Sequence, residues 1–125
     1  MVLNSQKAAI TKMQPGKSIN EAYETVTNEL KKGLFGLGLI TDTTRQWQNS
    51  FWMQHGWGHH IGLVVHDVSG PYVRGKSDLL VPGMIYTIEP GLYFPADYLE
   101  KGFSRVRNVP ETEWKAFPEK YEIEK

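Results

Sequence analysis

The chain has 125 residues, 40% hydrophobic and 22% charged, which is the size and mix of one globular domain and excludes both global disorder and two ordinary domains. Its 14 basic and 14 acidic residues cancel, so neither nucleic acid nor an anionic membrane is an expected partner. The absence of cysteine excludes disulfides, thiolate metal sites and a cysteine nucleophile, and suits a reducing cytoplasm.

The N-terminus lacks the charged and apolar regions of a signal peptide. Leu3, Ala9, Ile10 and Met13 recur as one helix face would, predicting a helix over 2–13 that Pro15-Gly16 stops, with Asn4 or Ser5 as a late cap. Ser18 and Glu21 form a capping box for a second helix. Ile19, Ala22, Tyr23, Val26 and Leu30 carry its apolar face, and Lys31-Lys32-Gly33 reads as its end. The longest apolar stretch, Leu34 to Ile40, is too short to span a bilayer and is broken by glycines. A polar loop is expected from Thr41 to Asn49.

The character then changes to strands. Ile61 to His66 and Met84 to Glu89 are rich in β-branched and apolar residues bounded by Gly and Pro. Tyr72 to Leu80 reads as loop with a short strand. In the tail Trp114, Phe117 and Tyr121 recur at helical spacing, interrupted by Pro118, and the pattern runs to the end without a cap. Both termini read as cut, so a fragment is expected.

All four histidines lie between His55 and His66. His55 and His59 stand four apart, a spacing that would share a helix face, but Gly56 and Gly58 argue for a glycine-rich turn leading into a strand. His59 and His66 would face opposite sides of a regular strand, so they serve one site only if a bulge or bend intervenes. Packed or surface histidines are the ordinary alternative. Clustering favours metal or proton chemistry, because imidazole is the commonest metal ligand and titrates near neutrality.

Glu89 ends an apolar run and precedes Pro90-Gly91. Buried there, its carboxylate would need a cation, a metal or strong donors, with Arg74, Arg105 and Arg107 as the structural candidates. At an exposed strand end it would need none. Trp47, Phe51, Trp52 and Trp57 read as core, with a substrate-pocket wall as the lesser alternative.

The string His55-Gly56-Trp57-Gly58-His59-His60-Ile61-Gly62-Leu63-Val64-Val65-His66-Asp67, followed by Pro82-Gly83-Met84-Ile85-Tyr86-Thr87-Ile88-Glu89-Pro90-Gly91-Leu92-Tyr93, resembles the pita-bread metallopeptidases. The branch most similar contains aminopeptidase P (Xaa-Pro aminopeptidase) and prolidase. The resemblance covers most of residues 1–107. It implies an α+β fold, the second half of a pita-bread domain, with a curved antiparallel sheet and flanking helices. It implies a hydrolase acting on proline-containing peptides through two divalent metals, often manganese (cobalt or zinc being alternatives), bridged by a hydroxide. His59 would be the histidine ligand and Glu89 a glutamate ligand that also takes the proton of the attacking water. His55 would contact substrate near the scissile bond. His66 would donate to the developing oxyanion or position the residue after it. Paired metals lower the pKa of water and polarise the carbonyl, while a carboxylate manages the proton.

The sequence departs from the family pattern in two places. The family's two Asp ligands lie upstream of the equivalent of these helices. Its last Glu belongs to an Arg-x-Glu-Asp string, where this chain has Arg105-Val106-Arg107-Asn108. Either that string is degenerate, or an insertion begins near Pro95 and displaces it. At most two of five ligands are then present, and the chain reads as residues 1–125 of a partial catalytic domain, expected to be inactive alone and suited to homo-oligomerisation across its exposed half. The alternative is a non-catalytic module that kept the fold for peptide binding.

Overall fold

The computed structural model describes residues 1–67 and 79–94. Three helices appear in it: α1 (Val2–Ile10), α2 (Ile19–Gly36) and α3 (Gln46–Trp52). The antiparallel contacts are two isolated bridges, Ser18 with Leu79 and His60 with Tyr86. The curved sheet expected from the resemblance is therefore not built as regular strands among the described residues. None of the described helices is long and apolar enough to cross a membrane.

Helix α1 is shorter than its apolar spacing predicts. It ends at Ile10, and the chain tightens through Lys12 N–H to Ala9 O at 2.9 Å and Met13 N–H to Ile10 O at 3.1 Å. Nor does Ser5 cap it: the residue is buried inside the helix, where its hydroxyl donates back to Val2 O at 2.8 Å. Asn4 likewise lies within the helical span.

Helix α2 starts where the capping residues indicate. Ser18 Oγ accepts from Asn20 N–H at 3.1 Å, satisfying one of the helix's free donors. The end lies past Lys31-Lys32-Gly33. Gly33 stays helical, and the Met1 thioether chain occupies the space a Cβ there would need. The helix closes instead on Gly38 at φ 70, with Gly38 N–H on Phe35 O and Leu39 N–H on Leu34 O, both at 2.9 Å. That crossed pair is a Schellman motif, which requires the left-handed residue that glycine supplies.

The expected polar loop is partly helical. Asp42 Oδ1 accepts from the Thr44 N–H at 2.8 Å and its hydroxyl at 2.6 Å, an arrangement that turns the chain and holds the Asp42 carboxyl below its ordinary pKa. Gln48 reaches back so that its Oε1 accepts from Thr41 N–H at 2.8 Å and Asp42 N–H at 3.1 Å. These side chains satisfy the loop backbone and free Phe51 and Trp52 to face inward.

The core forms in two parts. Ala9, Ala22, Val26, Leu30, Met53 and Trp57 make one, and Leu34, Ile40, Phe51 and Trp52 the other, with Leu92 packed against both. Val26, Leu30 and Leu34 recur every fourth residue along α2 and are completely buried. Phe51, Trp52 and Trp57 are thus core, as the sequence indicates. Tyr86 and Ile88 pack on the first cluster, so the 84–89 segment rests directly on the helices. Glycine 16, at φ 81, donates to Leu80 O at 2.8 Å and ties the incoming end of that segment to the α1–α2 connection.

Candidate functional site

Segments 57–61 and 85–89 run antiparallel in one register. Glu89 N–H reaches Trp57 O at 2.6 Å, Thr87 N–H reaches His59 O at 2.9 Å, and Ile61 N–H reaches Ile85 O at 3.1 Å. The ladder is irregular because a side chain enters it: His59 N–H donates to Thr87 Oγ1 at 2.9 Å. Gly58 makes this approach possible, since a Cβ there would overlap the Thr87 carbonyl. The register makes Glu89 the diagonal cross-strand neighbour of His59.

The two side chains meet. His59 Nε2 lies 3.2 Å from Glu89 Oε1, with the side chains 22% and 46% exposed. The other ring nitrogen, Nδ1, is 3.0 Å from His60 O. A carbonyl only accepts, so Nδ1 carries the hydrogen and, in the neutral ring, Nε2 offers its lone pair toward the carboxylate. Two acceptors so close require either a proton on the imidazole or a cation between them. The donor set, a neutral imidazole nitrogen beside a carboxylate oxygen, fits a divalent metal with borderline preferences. Among the described residues no group of three His, Cys, Asp or Glu is placed to hold a metal ion, so this pair supplies half a site at most.

The bend needed to bring His66 back does occur. Residues 62–66 turn instead of continuing as the expected strand. Asp67 closes the turn: its N–H reaches His60 O at 3.2 Å, and its Oδ2 accepts from Leu63 N–H at 2.8 Å. A Cβ at Gly62 would collide with that carboxylate. The apolar residues that suggested a strand are turned outward, Leu63 completely and Val64 and Val65 largely exposed. Their β-branched character is overridden by the turn that glycine and aspartate build.

His55 is held at both nitrogens, Nδ1 against Gly56 O at 2.6 Å and Nε2 against the Tyr93 hydroxyl at 2.6 Å. His60, given no role from sequence, packs edge-on against Tyr86 at 4.8 Å between ring centroids. The Tyr86 hydroxyl donates to Gly58 O at 3.0 Å, and burial raises it above the ordinary tyrosine pKa of 10.0. A cavity of about 360 Å³ is lined by His55, Gly56, Gly58, His59, His66 and Glu89. All four residues singled out from sequence therefore share it. Thr87 and Tyr93 were missed as contributors, although both sit inside the second motif; only the cross-strand register reveals what they touch. Arg74, Arg105 and Arg107, the structural candidates for pairing Glu89, lie outside the described residues, as do the Arg105–Asn108 string and the tail aromatics.

The chain is similar to known proteins over most of its length. The sequence profile of Peptidase_M24, metallopeptidase family M24, matches residues 1–111. Over 102 residues the chain is 42% identical to the Xaa-Pro aminopeptidase of Haemophilus influenzae, covering 78% of this chain and 23% of the relative. It is 38% identical over 101 residues to the Xaa-Pro aminopeptidase of Escherichia coli, with the same shares. Among solved structures, Pseudomonas aeruginosa aminopeptidase PepP superposes with a TM-score of 0.66 at 31% identity, over 89% of this chain and 24% of that one. Escherichia coli aminopeptidase P with the inhibitor Pro-Leu superposes with a TM-score of 0.63 at 36% identity over the same shares. The chain thus spans about a quarter of the length of these relatives.

Proposed function

Because the chain belongs to metallopeptidase family M24, we propose that it is the second half of a pita-bread catalytic domain from a metal-dependent Xaa-Pro exopeptidase. The observation that carries this reading is the facing pair His59 Nε2 and Glu89 Oε1 at 3.2 Å, with His59 Nδ1 tied to a backbone carbonyl. Such a second contact orients metal-binding imidazoles and selects the nitrogen they present. Two divalent ions, manganese being the proposed metal, would polarise the scissile carbonyl and make water nucleophilic at neutral pH.

The chain's own residues then divide the work. His59 and Glu89 contribute one nitrogen and one carboxylate to the metal pair. Glu89, half-exposed to the cavity, also accepts the proton of the attacking water. His66, whose ring stands edge to face with His59 in the same cavity, donates to the oxygen that gains charge in the transition state. His55 forms the part of the cavity wall nearest Tyr93, against which a proline-containing peptide rests. The remaining ligands come from sequence outside the described residues, and the protein works in the cytoplasm as a homo-oligomer.

The test is manganese-stimulated release of the first residue from an Xaa-Pro-Xaa peptide, measured for the 125-residue chain and for the product of the full reading frame. Turnover in the longer product and none in the chain alone is expected. A longer product that binds proline peptides without hydrolysing them would replace this reading with the non-catalytic module.

A further inference from the structure

The Tyr93 hydroxyl lies 2.6 Å from His55 Nε2, and the two rings meet edge to face with centroids 5.2 Å apart. At the other nitrogen, Nδ1 is 2.6 Å from Gly56 O. Since that carbonyl can only accept, Nδ1 holds the hydrogen, Nε2 is the acceptor, and Tyr93 is the donor. Both polar positions of the imidazole are consequently occupied inside the protein.

The arrangement depends on Gly91. A Cβ on Gly91 would lie 2.7 Å from the Tyr93 hydroxyl oxygen and 2.8 Å from its Cε2. The tyrosine ring therefore folds back over the glycine, and that fold carries its hydroxyl to His55. The Tyr93 backbone is anchored separately, by its N–H on Trp52 O at 2.9 Å, so the ring can be displaced without releasing the chain.

We infer that Tyr93 is a positioning residue for His55, seated by Gly91, which locks the imidazole in its Nδ1–H tautomer and holds its ring in one orientation against the cavity. The lock makes His55 a neutral wall and removes Nε2 as a free donor or acceptor toward a bound peptide. This rests on the reading of His55 as substrate-facing, but its test needs no substrate. Failure of the lock is thus distinguishable from failure of the peptidase reading, which hydrolysis decides.

The experiment is nitrogen-15 NMR of the histidine rings in the full 125-residue chain, at a pH above the imidazole titration range. Wild type should show His55 protonated at Nδ1 with a hydrogen-bonded, unprotonated Nε2. Tyr93→Phe should move the Nε2 resonance toward that of a free pyridine-type nitrogen while the His60 signals stay in place. Gly91→Ala should produce the same shift although the hydroxyl is retained, because the new methyl pushes the tyrosine ring off its seat. A wild-type His55 protonated at Nε2 would overturn the proposal, and this arm needs no variant to fold. So would a Tyr93→Phe spectrum with His55 unchanged.

Discussion

His59 and His66 stand edge to face, their ring centroids 4.4 Å apart and their planes at 89°. Seven residues of regular strand would send these rings to opposite faces. The turn through Gly62, locked by Asp67 Oδ2 on Leu63 N–H, brings them to one cavity. Proximity does not make their roles equal, because only His59 also meets Glu89.

In a protein with the complete ligand set, His59→Ala should lose both bound manganese and turnover, since it removes the bond to the ion proposed for His59. His66→Ala should keep its metal and its melting temperature while turnover falls ~100- to 1000-fold, the usual cost of losing a transition-state donor. Metal content, thermal melting and kcat measured on both variants check this. A folded, metal-loaded and fully active His66→Ala protein would end the assignment.

Taken alone, the 125 residues should bind manganese weakly and hydrolyse no Xaa-Pro peptide. Among the described residues one imidazole and one carboxylate face each other, which leaves most coordination positions to water and does not repay the ordering of the site. Calorimetric titration with manganese, alongside a peptide assay, measures both. Tight uptake of two ions per chain is the contrary result.

Gly58→Ala should be destabilising by ~1–3 kcal/mol, the usual range for forced overpacking. The added methyl meets the Thr87 carbonyl, a backbone atom that cannot turn aside as a side chain would. Because Thr87 also receives the His59 N–H, the register that pairs His59 with Glu89 should loosen with it. Urea unfolding reports the first effect. Loss of the through-space contact between His59 and Glu89 in NMR reports the second.

Tyr86 predicts an alkaline limit. Burial raises its folded-state pKa above the ordinary 10.0, so the folded state favours the neutral phenol. The associated stability is complete below about pH 10 and is lost as pH rises from there through the higher folded-state value. Tyr86→Phe should abolish that loss. It should also cost about 1 kcal/mol near neutrality, because Gly58 O loses its 3.0 Å donor. Melting temperature followed from pH 8 upward in both proteins is the measurement.

Local chemistry written in the chain was sufficient for the start of α2 and for the burial of Phe51, Trp52 and Trp57, whereas the four residues that line the cavity were brought together by the family resemblance. A capping serine acts within one turn, and large aromatics leave water wherever the chain folds. Other features depended on contacts between distant segments. Gly33 did not end α2, which closes on Gly38 instead, with Met1 packed beside Gly33, and residues 61–66 did not form a strand because Asp67 captures the Leu63 amide. That Glu89 meets His59 followed from the resemblance, which makes both ligands of one metal pair, and the 3.2 Å contact agrees; the residues read alone left the partner of Glu89 open. Whether a carboxylate at the end of an apolar run meets an arginine, water or a histidine depends on which segment runs beside it. The register of 85–89 against 57–61 decided for His59, and backbone hydrogen bonds between segments some thirty residues apart leave no local trace in sequence.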